Sequence, residues 1–285
     1  MEIIALAAGS AVLIALGIVL TRFGLKGLSP VHGGSVSVPT SAVMFLLLSL
    51  WLVDWNNWHP KSALIFAAAG LIYPAAVTVL NFVSNQRLGP NLTAAMGNLT
   101  PMFAVGLAML ALDEWPRQMQ ALGTGVVIMG LFLVTSAQVR RFPQGVIWLL
   151  AIPLAGAFLR GAAQPLVKIG LQDWPNAFAA ALLSYSVSAI VIWIVRLLRP
   201  APKRPFDRAA HLWFMLIGVV NGLALVAMYA ALALGPVTVV APIVASYPLI
   251  TLGMTWLLHG RDPLPVRAIL GTVISVLGVV LILRG

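Results

Sequence analysis

R-L-G-P-N-L-T-A-A at residues 87–95 is followed by G-T-G-V-V-I-M-G-L-F-L-V at residues 123–134. The same order returns as A-L-G-P-V-T-V-V-A at residues 233–241 and G-T-V-I-S-V-L-G-V-V-L-I at residues 271–282. Between these segments, Pro101 in the first stretch corresponds to Pro248 in the second. Similarity of one part of a chain to another is the signature of an internal repeat, so we predict two related halves.

The repeat continues more faintly toward the start of each half. Lys26 falls near the position of Lys168, and Pro30 falls near that of Pro175. We therefore divide the chain into a first repeat at 1–138 and a second repeat at 139–285.

The composition indicates that the chain folds in a lipid bilayer. Hydrophobic residues make up 61% of its 285 residues and charged residues only 8%, with a mean hydropathy of +1.01. Soluble domains carry about 25% charged residues, and a spanning helix needs about 20 apolar residues. We predict an all-α polytopic membrane protein with ten transmembrane helices. The predicted segments are 3–26, 34–53, 62–86, 91–112, 117–136, 145–170, 176–195, 209–234, 237–258 and 265–283.

Five helices in each half have a consequence for symmetry. Because five is odd, the second half begins on the opposite face of the bilayer, and the two repeats are inverted. Inverted repeats place a binding site near the midplane, and rocking of one half against the other exposes that site to either side. The pattern therefore favours a transport mechanism by alternating access.

Other classes of function are disfavoured by the residues present and missing. The excess of 17 basic residues over 7 acidic ones is a feature of proteins that bind nucleic acid. Here the charges lie in short loops between apolar runs, which is the pattern that sets orientation in a membrane. Cysteine is absent, the four histidines lack ligand spacing, and no phosphate-binding loop is present. We expect no metal, no cofactor, no nucleic-acid partner and no enzymatic activity. Glu2 follows Met1 without a basic region, so we expect the first helix to be retained rather than cleaved.

Basic residues inside the predicted helices are the main candidates for substrate binding. Arg160 lies close to the middle of segment 145–170, where an arginine costs about 2.5–3.5 kcal/mol and needs a polar or anionic partner. Gln164 and Lys168 follow at the same four-residue step, and Arg22 and Lys26 form a similar pair on the first helix. We predict a cationic, water-filled cavity for an anionic or carboxylate-bearing substrate. The alternative for Arg22, Lys26 and Lys168 is structural, as anchors at the membrane interface.

Weaker candidates are the other polar residues in apolar runs, which often only join neighbouring helices. Asn221 and Tyr229 lie eight residues apart on one helix, and either Tyr185 or Trp193 is a candidate to stack on a substrate. We include Asn221, Tyr229 and Tyr185 among the substrate-binding candidates. The remaining members of this set are Tyr73, Asn81, Asn85, Asn98 and Tyr247.

The acidic residues argue against exchange of lipophilic cations for protons. Such antiporters need a carboxylate inside the membrane, whereas every acid here falls at a terminus or in a predicted loop. The seven acids are Glu2, Asp54, Asp113, Glu114, Asp173, Asp207 and Asp262.

The pattern A-L-x-L-G-P-V-T-V-V-A-P at 231–242, with Y-P-L at 247–249 and G-T-V-I-S-V-L-G-V-V-L at 271–281, resembles the drug/metabolite transporter superfamily, specifically its EamA-type ten-helix members. The resemblance covers nearly the whole chain and specifies fold better than substrate. The family often has a Gly–Glu step after the fourth and ninth helices. Asp113-Glu114 keeps the acid in the first repeat, and Gly260-Arg261 replaces it in the second.

Several functions stay open at this point. The leading hypothesis is a secondary transporter for an amino acid or another carboxylate-bearing metabolite, and the resemblance favours export. A carrier or flippase for a lipid-linked molecule is the alternative within the same superfamily, and an intramembrane enzyme or a structural membrane protein is disfavoured. We expect a multi-pass protein of the inner or plasma membrane whose partners are the bilayer and a small-molecule substrate, with a homodimer as one possible assembly.

Orientation follows from the distribution of Lys and Arg. The odd-numbered loops hold eleven of these residues and the even-numbered loops and termini hold four. Cytoplasmic loops carry the excess of Lys and Arg, so the charge count predicts that loops 137–144 and 196–208 are cytoplasmic and both termini are outside. The resemblance implies the opposite, with both termini inside.

Overall fold

The computed structural model describes residues 1–88, 90–136, 147–198, 207–258 and 265–285. Throughout the described part, every element is helical, and ten spans are long and apolar enough to cross a membrane. The prediction of an all-α protein with ten transmembrane helices is thus confirmed. Several predicted features lie outside the described residues: the boundary at 138/139, Gly89, Arg140, Arg141, residues 199–206, His259, Gly260, Arg261 and Asp262.

Thirteen α-helices form the ten spans. They are α1 (Glu2–Gly24), α2 (Pro30–Leu52), α3 (Pro60–Gly70), α4 (Val77–Leu88), α5 (Pro90–Gly97), α6 (Thr100–Leu112), α7 (Gln118–Ser136), α8 (Ala151–Asp173), α9 (Ala177–Leu198), α10 (Arg208–Leu234), α11 (Val237–Val244), α12 (Tyr247–Leu258) and α13 (Val266–Arg284). A π-helical segment, Leu71–Ala76, joins α3 and α4 into the third span. Short 3-10 helices at Trp55–Asn57 and Ile147–Leu150 precede α3 and α8.

Polar side chains cap helices where the chain enters the membrane. The Ser29 hydroxyl accepts a hydrogen bond from the His32 N–H, and Pro30 occupies the first turn, where no N–H is needed. At the start of α10, Asp207 accepts from the Ala210 N–H at 3.0 Å. These caps satisfy backbone donors that the helix itself leaves unpaired.

The fourth and ninth spans are broken at equivalent places. The first consists of α5 and α6, with a break at Asn98 and Leu99, and the second consists of α11 and α12, with a break at Ala245 and Ser246. Each break falls just before the matched prolines, because Pro101 and Pro248 are the second residues of α6 and α12. A proline fits the first turn of a helix, where it removes no hydrogen bond. The repeat in the sequence is therefore also a repeat in the backbone.

The inversion of the halves is visible where α7 packs against α13. A methyl group added to Gly123 would lie 2.6 Å from the carbonyl oxygen of Gly278, and one added to Gly130 would lie 2.6 Å from that of Gly271. In sequence, Gly123 matches Gly271 and Gly130 matches Gly278. Exchanging the two halves therefore converts the contact between Gly123 and Gly278 into the contact between Gly271 and Gly130. The two helices run antiparallel about a pseudo-two-fold axis, as expected for inverted repeats.

The contacts of the other spans are also related by exchange of the two halves. The first span of one half packs on the third and fourth spans of the other: α1 contacts α10, α11 and α12, and α8 contacts α3, α4, α5 and α6. The second spans, α2 and α9, pack on each other. The fold is therefore two inverted five-helix repeats that interlock around a central space.

Candidate substrate-binding cavity

A cavity of about 500 Å³ lies between the two halves. Its volume falls in the range of about 300–1,000 Å³ that is usual for small-molecule sites. Along α1 its lining residues run from Leu25, just past the helix end, to Ser10 near the middle, and along α8 they run from Pro153 to Gln164. The cavity therefore occupies the half of the protein next to the odd-numbered connections and ends near the midplane.

One side of the cavity carries two unused polar atoms. The Nε atom of Arg160 and the Oε1 atom of Gln164 are both buried without a hydrogen-bond partner. The two residues are four apart on α8, which places them on one helix face and about 6 Å apart along its axis. Two residues that line the cavity thus carry a donor and an acceptor without partners within about one helical turn of each other.

The orientation of Arg160 is supported by an aromatic ring. Its guanidinium carbon lies 5.7 Å from the centre of the Tyr73 ring, within the distance of a cation–π contact. Tyr73 sits in the π-helical segment with φ −142° and ψ 126°, so the third span leaves helical geometry at this residue. We call Tyr73, Thr78, Asn81, Arg160 and Gln164, which all line the cavity, the polar wall.

The electrostatic balance of the cavity is positive. Among the lining residues that the structure describes, Arg160 alone is charged, and none is acidic. A buried charge without a counter-ion is costly, and an arginine fork matches a carboxylate with two parallel hydrogen bonds. The arrangement is suited to an anionic group from a ligand.

The α1 and α10 helices supply a wall of different chemistry. We call Ile14, Ile18, Leu25, Ile217 and Leu225, which line the cavity from these helices, the apolar wall. Ile18 and Leu25 each keep 39% of their surface exposed. Both residues line the cavity, and the apolar surface that they present to it favours contact with an apolar part of a ligand.

Four of the seven predicted site residues line this cavity. Arg160 and Gln164 belong to the polar wall, Asn221 lies beside Gly17 between α10 and α1, and Tyr185 reaches the cavity from α9. Tyr185 is 5% exposed, and its ring centre is 5.7 Å from that of Phe45. The structure therefore brings together residues that lie on three separate spans.

Arg22 and Lys26 do not line the cavity. Both side chains are exposed, and the ammonium of Lys26 lies 5.6 Å from the centre of the Phe23 ring. Since α1 ends at Gly24, both residues lie at the membrane face. Their placement agrees with the structural alternative, in which such residues anchor a helix at the interface.

Lys168 and Tyr229 also lie elsewhere. The ammonium of Lys168 donates hydrogen bonds to the carbonyl oxygens of Leu232 at 2.6 Å and of Gly235 at 2.9 Å. Tyr229 is 1% exposed, and its hydroxyl is 3.5 Å from that of Ser184. Lys168 continues the stripe of Arg160 in sequence, but it lies two turns further along α8 and beyond the end of the cavity.

That far end is closed by contacts between the halves. Glu114, after α6, accepts a hydrogen bond from the Val237 N–H at the start of α11, with Oε2 at 2.6 Å. Asn176 donates to the Leu52 carbonyl at 3.2 Å. The bonds of Lys168, which stay within the second half, lie at the same end, and we call the bonds of Glu114, Asn176 and Lys168 together the closed end. Next to them the rings of Trp55, Trp58, Phe66 and Trp174 lie 5.2–6.5 Å apart between centres.

Some polar residues are structural, and some cavity residues carry no distinctive sequence signal. Asn98 donates to the Leu131 carbonyl at 2.9 Å and to the Thr135 hydroxyl at 3.0 Å, which joins the break in the fourth span to α7. Thr78 and Ser37 line the cavity but were not predicted. Serine and threonine are common in membrane helices, where they bond to their own backbone, so sequence alone does not separate these two.

The fold and the cavity define a polytopic membrane protein with inverted repeats around one central cavity. The EamA-like transporter family model matches residues 1–136 and 145–284, so the chain belongs to the EamA-like transporter family. The resemblance to EamA-type members is confirmed, and the protein is a multi-pass membrane transporter of that family.

Comparison with solved structures supports the fold. One structure, described only as a crystal structure of a protein, superposes with a TM-score of 0.83 at 13% sequence identity, over 98% of this chain and 98% of that chain. At this identity the likeness shows the fold alone. No curated protein sequence matches this chain.

Proposed function

We propose that the chain is a secondary transporter for small carboxylate-bearing metabolites and that Arg160 binds the substrate carboxylate. The observation that carries this proposal is the buried, unpartnered Nε atom of Arg160 in a cavity whose described lining contains no acid. Charge-assisted hydrogen bonds of an arginine with a carboxylate are roughly twice as strong as neutral ones. Such a ligand supplies the counter-ion that this position lacks.

Transport by alternating access is supported by the asymmetry of the two ends. The cavity reaches one side of the protein, whereas at the closed end, on the other side, the hydrogen bonds of Glu114 and Asn176 join the halves. Because the repeats are inverted, rocking of one half against the other would separate these contacts and close the present entrance. Family membership favours export across the inner or plasma membrane.

Counterflow in liposomes tests this function. The purified full-length protein is reconstituted, loaded with unlabelled carboxylate, and exposed to a labelled panel of amino acids, hydroxy acids and dicarboxylates. We expect accumulation of at least one carboxylate above protein-free liposomes, and no accumulation of lipophilic cations. Accumulation of cations but not of any carboxylate would refute the proposal.

A further inference from the structure

The residues of the two walls indicate which other groups the substrate carries besides its carboxylate. On the polar wall, Arg160 offers an unused donor and Gln164, which is 4% exposed, offers an unused acceptor. A ligand that satisfies both atoms carries an anionic group and, close to it, a hydrogen-bond donor. An unsatisfied buried polar group costs about 1–3 kcal/mol, so supplying both partners stabilises the bound state.

The charge balance decides what kind of donor fits Gln164. A bound monoanion neutralises Arg160, so the cavity and the ligand together carry no net charge. A zwitterion adds an ammonium beside the guanidinium and leaves one positive charge uncompensated, because no described acid lines the cavity. Burial of an unpaired ammonium is far more costly than burial of a hydrogen-bonded hydroxyl. A neutral hydroxyl or amide donor therefore suits this position better than an ammonium.

The apolar wall has few free donors of its own. The Ser10 hydroxyl donates to the Ala224 carbonyl at 2.7 Å, and the Thr21 hydroxyl donates to the Gly17 carbonyl at 2.7 Å. Both hydroxyls are thus occupied by backbone, and of the polar side chains on this side Asn221 remains. Ligand surface placed against Ile14, Ile18 and Leu225 gains about 25 cal/mol per Å² only where it is apolar.

From these contacts we infer, building on the proposed function, that the preferred substrate is an amphipathic monocarboxylate with a neutral hydrogen-bond donor next to the carboxylate. Arg160 binds the carboxylate, Gln164 accepts from the donor, and the apolar body of the substrate lies against the apolar wall. Zwitterionic amino acids and small polar acids are poorer substrates of this site.

A matched series of compounds tests this inference in the reconstituted full-length protein. The probe is labelled 2-hydroxy-4-methylpentanoate, compared with leucine, which has the same skeleton but an ammonium in place of the hydroxyl. Glycolate removes the apolar body, and 4-methylpentanoate removes the hydroxyl. We expect counterflow of the hydroxy acid at least tenfold faster than that of each of the other three, after subtraction of uptake into protein-free liposomes.

Each outcome has a defined meaning. Equal or faster transport of leucine would overturn the inference while leaving the carboxylate carrier intact. Equal or faster transport of glycolate or 4-methylpentanoate would overturn it in the same way, by removing the role of the apolar wall or of Gln164. Transport of no member of the series, with another carboxylate of the wider panel carried, would also overturn it. Transport of no carboxylate at all would refute the proposed function itself.

Two variants, one in each wall, test which wall causes which part of the substrate preference. Gln164→Leu is expected to remove the tenfold preference for the hydroxy acid over 4-methylpentanoate, and Ile18→Ser is expected to reduce the preference over glycolate by at least threefold. Arg284→Gln, at an exposed arginine at the end of α13, is the control and leaves both ratios unchanged. A monodisperse elution profile establishes that each variant is folded. Unchanged ratios in folded Gln164→Leu and Ile18→Ser would contradict the inference.

Discussion

Lys168 Nζ donates a hydrogen bond of 2.9 Å to the carbonyl oxygen of Gly235, the residue that caps the carboxyl end of α10. A cation is favourable at the carboxyl end of a helix, where carbonyl groups lack partners and the helix dipole is negative. The bond joins α8 of the second half to the connection between α10 and α11. It lies beyond the end of the cavity and holds the connection that precedes Val237, the residue whose N–H donates to Glu114 of the first half.

Lys168→Met is expected to favour opening of the closed end. Hydrogen bonds of a charged group are worth about 1.5–3 kcal/mol each, and those of Lys168 fix the connection that Glu114 of the first half holds at Val237. Removing the ammonium should loosen this connection, weaken the contact between the halves and raise the open population. The chain has no cysteine, so Val237→Cys, at a residue with 0% exposure at the start of α11, provides a single reporter. We expect a water-soluble maleimide to label this cysteine at least several-fold faster when Lys168 is replaced.

The control for this measurement is Lys61→Met. Lys61 is also at this end of the protein, but its side chain is 72% exposed and its contact with Asp173 is 3.9 Å. Exposed pairs of this kind contribute little, so labelling should not change. Equal labelling in Lys168→Met and Lys61→Met would show that Lys168 does not hold this end closed.

The close contact between α7 and α13 leaves no space for a side chain at Gly123, so we expect a substitution there to lower the stability of the protein. A methyl group there would lie 2.6 Å from the Gly278 carbonyl oxygen, whereas nothing lies within 4 Å of one added at Gly125. Gly123→Ala should destabilise by about 1–3 kcal/mol through overpacking, which lowers the thermal midpoint by several degrees. Gly125→Ala on the same helix should be neutral or slightly stabilising. Equal midpoints for the two variants would contradict the close packing of these helices.

Tyr73 is expected to act as a positioning residue for Arg160. Tyr73→Leu removes the ring beneath the guanidinium, a contact worth about 0.5–2 kcal/mol, and should raise the KM for a carboxylate roughly two- to thirtyfold with little change in maximal rate. Tyr73→Phe keeps the ring and should retain the KM of the parent protein. The loss of transport in both variants alike would indicate that the hydroxyl, rather than the ring, is required.

The charge count predicts that both termini are outside. Under this orientation the cavity, which reaches the side of the odd-numbered connections, faces the cytoplasm, as loading for export requires. Alkaline phosphatase fused after Gly285 should be active, and a fluorescent protein fused there should be dark. A bright fluorescent protein with inactive phosphatase would show that the family pattern, with termini inside, is correct.

The fold followed from the sequence because it rests on two strong signals. Apolar length determines the number of spans, and the matched positions Gly123, Gly130, Gly271 and Gly278 record a contact that the symmetry duplicates. Arg160 could be predicted as a site residue because a charged side chain near the membrane midplane is costly in free energy, and such residues usually have a functional role.

The rest of the cavity could not be predicted from the sequence, because the positions of its residues depend on contacts between distant spans. Lys168 follows Arg160 at the same helical step, yet the end of α10 places two carbonyl groups beside it and removes it from the cavity. Glu114 and Val237 are 123 residues apart and meet only through the interlocking of the halves. Helical periodicity determines a face of one helix, but it does not determine where a cavity along that face ends.

The most direct test of the proposed carboxylate site compares Arg160→Gln and Arg160→Lys with the parent protein in counterflow of a labelled carboxylate. We expect Arg160→Gln to lose at least tenfold in initial rate and Arg160→Lys to recover part of it, because a lysine keeps the charge but not the two-pronged geometry. Both variants should insert and elute as the parent protein does. An unchanged rate and KM in folded Arg160→Gln would contradict the assignment of this cavity as the carboxylate site.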